Sequence, residues 1–208
     1  MAQDFRVSTR GEAATIIAEH PRGYPKELEH TVTLRNRARV RLRPVRPDDE
    51  PRLMALYDRL SVDTAYKRFF TRMKTLPPAL ARHFANVDYQ RRLAIVAEPT
   101  GGEDSMVIGV ARFEPTDRPT IAEVALVVED RWQRLGLGAI LLEEILRAGG
   151  QRGIFEFRAD VLAYNSGMLR LLAHHTDVAR RRTLQGIAEI SFRRRRPLRV
   201  ADVDAMRR

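Results

Sequence analysis

Cysteine is absent from all 208 residues. That excludes disulfides, a cysteine acyl-enzyme, iron–sulfur clusters and cysteine-based zinc sites. Long apolar runs are absent as well, and none approaches the roughly 18 consecutive residues of a membrane span. The stretch Ala13–Ala18 is too short and too interrupted to be the core of a secretory signal. A cytoplasmic chain away from membranes is therefore expected. Lysine is scarce: Lys26, Lys67 and Lys74 stand alone among 37 Lys and Arg residues. Neither a recognition-helix pattern nor an aromatic RNA-binding strand motif is visible, so nucleic acid is not an expected partner.

What is there suits one globular domain with short tails. Hydrophobic residues make up 44% and charged residues 31%, with a mean hydropathy of -0.37. The net charge is +10 and the pI about 10.8. The charge is uneven, because ten of the arginines fall in residues 176–208. Such an end meets nucleic acid, acidic proteins or an anionic cofactor, or else is a solvated surface.

Residues 1–23 show no steady hydrophobic period and read as an N-terminal arm. Residues 31–45 alternate as a hairpin turning at Asn36-Arg37. Pro47-Asp48-Asp49-Glu50 starts a helix carrying Leu53, Leu56, Tyr57 and Leu60. A second helix is expected over Val62–Met73, and Pro77-Pro78 opens a third. Strands follow at Leu93–Ala97, Met106–Phe113 and Ile121–Val128, with turns at Pro99–Asp104 and Asp117–Pro119. Gly136–Arg147 has helical spacing, with Gly149-Gly150 as its stop. A strand at Phe155–Leu162, a helix at Asn165–His175 and a hairpin around Gln185-Gly186 complete the order. This is an α/β chain with a mixed central sheet flanked by helices.

The segment Ile121–Gly138 carries the chemistry. It reads as a strand, a short loop and a helix start bearing Gln133-x-x-Gly136-x-Gly138. The two glycines remove Cβ atoms where phosphates would approach the backbone. The first helical N–H groups and the helix dipole favour an anion there, and Arg131 and Arg134 add charge. No Gly-Lys-Ser/Thr and no G-x-G-x-x-G is present, so this is neither a Walker loop nor a dinucleotide fingerprint. A plain tight turn would look the same. Glu123, on an otherwise apolar strand, either faces a cleft or is paired within the sheet. Asn165 is a helix N-cap, a ligand, or both. His174-His175 suits the negative end of a helix dipole better than a metal, and no metal site is expected.

Several segments together resemble the GNAT acetyltransferase superfamily. They are Tyr24-Pro25 with Leu28-Glu29, residues 41–49, Leu60-Ser61 with Arg68-Phe69-Phe70, and Asp88-Tyr89 with residues 93–97. Ile108–Arg112, Ala122–Val128, Trp132-Gln133, and Val161-Leu162 with Asn165 and Met168-Leu169 complete the set. The resemblance is nearest to bacterial protein lysine acetyltransferases, whose domain also occurs fused to acyl-CoA synthetase or cyclic-nucleotide-binding domains. It implies a single GNAT domain over residues 24–193, with an Arg-rich tail at 194–208. It implies acetyl-CoA as acyl donor and protein lysine as acceptor. Leu126, Val127 and Val128 would pair with the pantetheine arm. Gln133, Arg134, Leu135, Gly136, Leu137, Gly138 and Ala139 would hold the pyrophosphate, with Asn165 nearby. Glu123 would be the general base, acting through water. The expected partner is an acidic protein such as an acyl-CoA synthetase, met by Arg180–Arg182 and Arg193–Arg196. The alternatives are a small-molecule amine acetyltransferase of the same fold, or a non-catalytic CoA-sensing or nucleic-acid-binding module. The chain departs from the family in two places. His174-His175-Thr176-Asp177 stands where a Gly-Phe pair is usual. No Tyr follows Asn165 to protonate the CoA thiolate; Tyr164 precedes it, and Ser166 is a substitute.

Overall fold

The computed structural model describes residues 20–101 and 106–195. Much of the expected arm, the turn at 102–105 and the tail beyond Arg195 lie outside them. An eight-stranded sheet forms the centre. Its strands are β1 (His30–Thr33), β2 (Arg39–Pro44), β3 (Leu93–Pro99), β4 (Gly109–Pro115), β5 (Ile121–Val128), β6 (Glu156–Leu162), β7 (Thr176–Leu184) and β8 (Ile187–Arg194). The spatial order is β1-β2-β3-β4-β5-β6-β8-β7. Every neighbouring pair is antiparallel except β5·β6. Helices α1 (Glu50–Arg59), α2 (Val62–Phe69) and α3 (Pro78–Ala85) cover one face; α4 (Leu137–Gly150) and α5 (Ser166–His175) cover the other.

The alternation of β5 sorts its residues between these layers. Ala122, Val124, Leu126 and Val128 pack in the core under α4. Glu123, Ala125 and Val127 turn toward the α1–α3 face, where Val127 packs against the second core with Val110, Leu53 and Tyr57. Both cores are almost wholly apolar, but one ion cluster is sealed at the edge of the second. Arg43, 2% exposed, is held by Asp49 at 2.7 Å and by Glu98 at 2.5 Å.

Two helix ends differ from the sequence expectation. Helix α4 runs through Gly149 and Gly150 rather than stopping at Arg147. A Cβ at Gly149 would come within 2.8 Å of the Phe157 ring, so this glycine permits close helix–sheet packing. The turn to β6 is made by Gly153, at φ 81°. Helix α2 stops at Phe69, well before Met73, because Phe70 takes a left-handed conformation at φ 58°. The chain then doubles back, burying Leu76 and offering the Met73 carbonyl to the Tyr57 hydroxyl at 2.7 Å.

Candidate active site

The parallel ladder between β5 and β6 ends at Glu123↔Arg158, although β5 continues to Val128 and β6 to Leu162. Beyond that point the strands part, and the β6-facing edge of β5 has no strand partner. A cleft of about 860 Å³ opens in the gap, walled by α2 on one side and by β6 and α5 on the other. Glu123, Leu126, Val127, Val128, Gln133, Arg134, Gly136, Gly138, Ala139 and Asn165 all line it. Leu135 and Leu137 do not: Leu137 is 1% exposed in the core under α4, and Leu135 packs against that core. These two can offer the cleft only their backbone.

One end of the cleft is built for an anion. Arg134 and Gly136 are left-handed, at φ 61° and 94°, so the turn into α4 curls its amides together. The N–H groups of residues 134–138 donate to no acceptor among the described residues, and the first pairing is Ala139 N–H to the Gly136 carbonyl at 3.1 Å. The macrodipole of α4 adds partial positive charge there. Around Gly136 and Gly138 a Cβ would meet nothing nearer than 3.7 Å, so the space lies open. Arg35 also lines this end, 99 positions or more from the turn in sequence. Its amide donates to the Leu135 carbonyl at 3.2 Å, which fastens the β1–β2 hairpin tip to the turn. Sequence reasoning passed Arg35 over, because only tertiary packing brings it here.

Gln133 has a different task from its neighbours. Its side-chain amide donates to the Val128 carbonyl at 3.0 Å and to the Thr64 hydroxyl at 3.2 Å. Asp130 accepts from the Ser61 amide at 2.9 Å and from the Ser61 and Thr64 hydroxyls at 2.7 Å each. Burial would raise the Asp130 pKa, but these donors outweigh it and hold the carboxyl below its usual range. Together the two side chains pin α2 to the β5–α4 loop and so fix one wall. On the other wall, Asn165 caps α5 through Oδ1, which accepts from Met168 N–H at 3.2 Å. Its Nδ2 donates to no described residue. Tyr164, exposed beside it, lies 5.8 Å from Lys67 Nζ across the opening.

The other end is acidic and basic at once. Glu123 forms no ion pair or hydrogen bond with any described residue. Directly opposite on β4 stands Glu114, and two like charges so placed repel. Glu114 is taken up by Arg92 at 2.7 Å and by Arg112. Burial raises its pKa, yet these two guanidinium groups outweigh that and hold it below the usual carboxylate range. Glu123 is thus the free carboxylate of the pair. Arg68, at the end of α2, faces the same region. Across the gap Asp160 lies opposite Glu189 on β8, and burial together with that neighbouring charge raises its pKa.

Among the described residues no three metal-ligating side chains come together, and no helix is long and apolar enough to cross a membrane.

Comparison with known proteins fits this geometry. Residues 49–175, more than half of the chain, match the family described as Acetyltransferase (GNAT) family. An acetyltransferase of Pseudomonas aeruginosa is 29% identical over 129 residues, 62% of this chain and 69% of that protein. Acetyltransferase Pat of Mycolicibacterium smegmatis is 33% identical over 132 residues, 63% of this chain. The match spans only 39% of that longer relative. The crystal structure of the GNAT domain of S. lividans PAT superposes with a TM-score of 0.73 at 29% identity, covering 82% of this chain and 99% of that domain. The parted strands, the amide-rich turn at the head of α4 and these matches have one reading: the chain belongs to the GNAT family of acetyltransferases, enzymes that take the acetyl group of acetyl-CoA.

Proposed function

We propose that this chain acetylates lysine side chains of an acidic protein in the cytoplasm, an acyl-CoA synthetase being the expected kind, with Glu123 as general base. The observation that carries the reading is the free Glu123 carboxylate at the start of β5. It is separated by five residues of strand, roughly 16 Å, from Val128, where the loop to the anion-binding turn begins. That spacing suits an extended pantetheine arm along the unpaired edge of β5. The turn at residues 134–139, with Arg35, would hold the pyrophosphate through the unpaired amides of residues 134–138. Acetyl-CoA supplies an activated acetyl carbonyl.

The protein's own part is to orient and to move a proton. A lysine ammonium, with a pKa of about 10.4, cannot attack until it is deprotonated. Glu123 accepts that proton through a water, and backbone N–H near Val127 stabilises the developing oxyanion. The Arg158 and Arg180 rows beside Glu123 lie on a sheet face that no described helix covers. This face is open and carries Asp160 and Glu189 beside its arginines, and an open face suits a folded substrate better than an enclosed small amine. The likeness to acetyltransferase Pat at 33% identity and to the PAT domain at 29% accords with the resemblance to bacterial protein acetyltransferases.

The deciding experiment incubates lysate proteins with the chain and isotope-labelled acetyl-CoA and maps acetyl-lysine by mass spectrometry. Glu123→Gln should lower turnover about 10²- to 10⁴-fold while acetyl-CoA binding holds. Label found only on small amines would turn the reading toward the small-molecule alternative.

A further inference from the structure

A guanidinium keeps its proton at any physiological pH, so withdrawing it from water without an acceptor is costly. The interior arginines respect this. Arg43 has Asp49 and Glu98, Arg59 has Glu129, and Arg112 has Glu114. Arg152, without a carboxylate, donates to the Tyr89 and Ala148 carbonyls. Arg68 departs from the pattern. It is half-buried on α2, yet it donates to no described residue and pairs with none. Its recorded neighbours are ring faces, Phe69 at 4.9 Å and Phe84 at 5.8 Å. Burial, helped by the charge of Arg112 and opposed by Glu123 and Glu114, brings its pKa down to about 10. Nor does it close a helix end, as Arg195 does by donating to the His174 carbonyl at 2.8 Å.

Its position is equally specific. Arg68, Ala125 and Val127 line both the main cleft and a small apolar cavity of about 40 Å³. Ala125 and Val127 alternate with Glu123 on one face of β5. A half-buried cation with no ion pair or hydrogen bond among the described residues therefore stands at the acceptor end of the cleft. Left alone there, it would repel an incoming ammonium. A carboxylate arriving with the amine cancels that repulsion and fits the planar fork of the guanidinium, which ring faces on α2 and α3 already hold in place. The carboxylate opposite Glu123, Glu114, is engaged by Arg92 and Arg112, and Asp160 lies across the gap on β6.

We propose that Arg68 reads the acceptor, binding a carboxylate that the acceptor carries close to its reactive amine. Preferred lysines then have an aspartate or glutamate beside them, or the amine belongs to a free amino acid. The inference rests on the placement of Glu123 at the acceptor end and adds what the acceptor must look like.

The test uses the full chain, acetyl-CoA and two matched acceptor pairs, with release of the CoA thiol as readout. One pair is a capped lysine peptide with glutamate beside the lysine against the same peptide with glutamine. The other is free lysine against lysinamide. In at least one pair the carboxylate-bearing member should have a kcat/KM about 10- to 100-fold higher, the range expected of a charge-assisted hydrogen bond. The pair that shows it identifies the source. Arg68→Gln should bring that ratio close to one, and Arg68→Glu should push it below one. The ratio is taken within each variant, so a smaller folded fraction cancels. A wild-type ratio near one in both pairs, or a ratio that Arg68→Gln leaves unchanged, overturns the proposal. The protein-lysine reading fails separately: selective turnover of free lysine with neither peptide acetylated removes that reading and keeps Arg68 in its role. Peptides acetylated regardless of their flank, with free lysine no better than lysinamide, do the reverse.

Discussion

The two halves of the sheet are built on opposite terms. In β3 and β4 nearly every residue is buried, because α1–α3 lie on one face and α4 on the other. Charges that enter this half are locked in pairs, as Arg43 is with Asp49 and Glu98. In β6 and β8 burial alternates, and in β7 only Thr176 is buried. Here charges stand in the open, and two of them, Asp160 and Glu189, even face each other. Strand β5 is the seam. It completes the closed half through seven register pairs with β4, and joins the open half through only three with β6. A rigid half supplies the position of Glu123 and the turn of α4; the loosely joined half opens the cleft between β5 and β6. The division accords with the general need of a site for a stiff support.

The sharpest way to break this contrast is to cut a pair in the closed half. Asp49 is 0% exposed and receives Arg43 and the Arg46 amide. Asp49→Ala should destabilise the chain by about 3–5 kcal/mol, as removal of one partner of a buried ion pair does. Glu189→Gln on the open half should stay within about 0.5 kcal/mol of wild type. Urea unfolding followed by circular dichroism measures both, and similar losses would erase the distinction. At the seam the effect should appear in binding. Gly136→Val forces a branched side chain to φ 94°, a strain of about 1–3 kcal/mol, and crowds the amide turn. Affinity for CoA by calorimetry should drop about 10- to 100-fold; unchanged affinity would remove the turn from the cofactor site.

Acid should act on the closed half first. Burial works to raise the Glu29 pKa, but the Tyr24 hydroxyl and the Arg41 and Arg46 charges win and bring it from 4.5 to about 2. Asp49 and Glu114 are lowered too. A depressed carboxyl stabilises the fold above its unfolded pKa and loses that contribution as pH falls through its folded value. Stability should therefore decline between about pH 4.5 and pH 2. Glu29→Gln should cost about 1–2 kcal/mol at pH 7 and almost nothing at pH 2. Thermal melts across this range check the sign: an equal cost at both ends would mean that Glu29 acts through packing alone.

Most of the architecture was legible in the sequence, and the reasons are local. Strand β5 announces itself as a long apolar run, α4 by its 3.6-residue spacing, and the last hairpin by Gln185-Gly186, both at positive φ. What was not legible depends on distant contacts. Gly149 looks like a helix stop, yet the Phe157 ring, which no local pattern reveals, is what needs it. Phe70 in the left-handed region carries no sequence signal, so α2 was expected to continue. Within the site the turn and Glu123 were readable as a motif on one strand–loop–helix unit. Arg35 and Arg68 were not, because a hairpin tip and a separate helix deliver them. Gln133 and Asn165 were singled out, but each also binds its own surroundings, Val128 and Thr64 for one and Met168 for the other.

The smallest expected effect concerns the outer edge of the open half. The Arg-rich end was expected to choose partners as a whole, yet the structure divides it. Arg194 is paired with Glu143 at 2.5 Å, and Arg195 with Asp177 at 3.2 Å while it also caps α5; Arg196 lies outside the described residues. Arg180, Arg181 and Arg182, by contrast, are exposed on β7, and none has an ion pair among the described residues. Arg180 and Arg182 stand across from Ser191 and Glu189 on the row that leads to β6. Exposed charges of this kind speed encounter with an acidic surface, and salt screens them over about 10 Å at 0.1 M. Replacing all three by glutamine should lower kcat/KM on an acidic protein substrate several-fold at low salt, and the gap should close as salt is added. Rates on a short neutral lysine peptide should hold, since β5 is untouched, and stability should stay within about 0.5 kcal/mol because β7 packs almost nothing. A peptide rate that falls in step with the protein rate would mean that the triple change deforms the β7–β8 hairpin. Equal protein rates at every salt concentration would reduce these arginines to a solvated face, and the open half would then owe its substrate to Glu123 and its immediate neighbours.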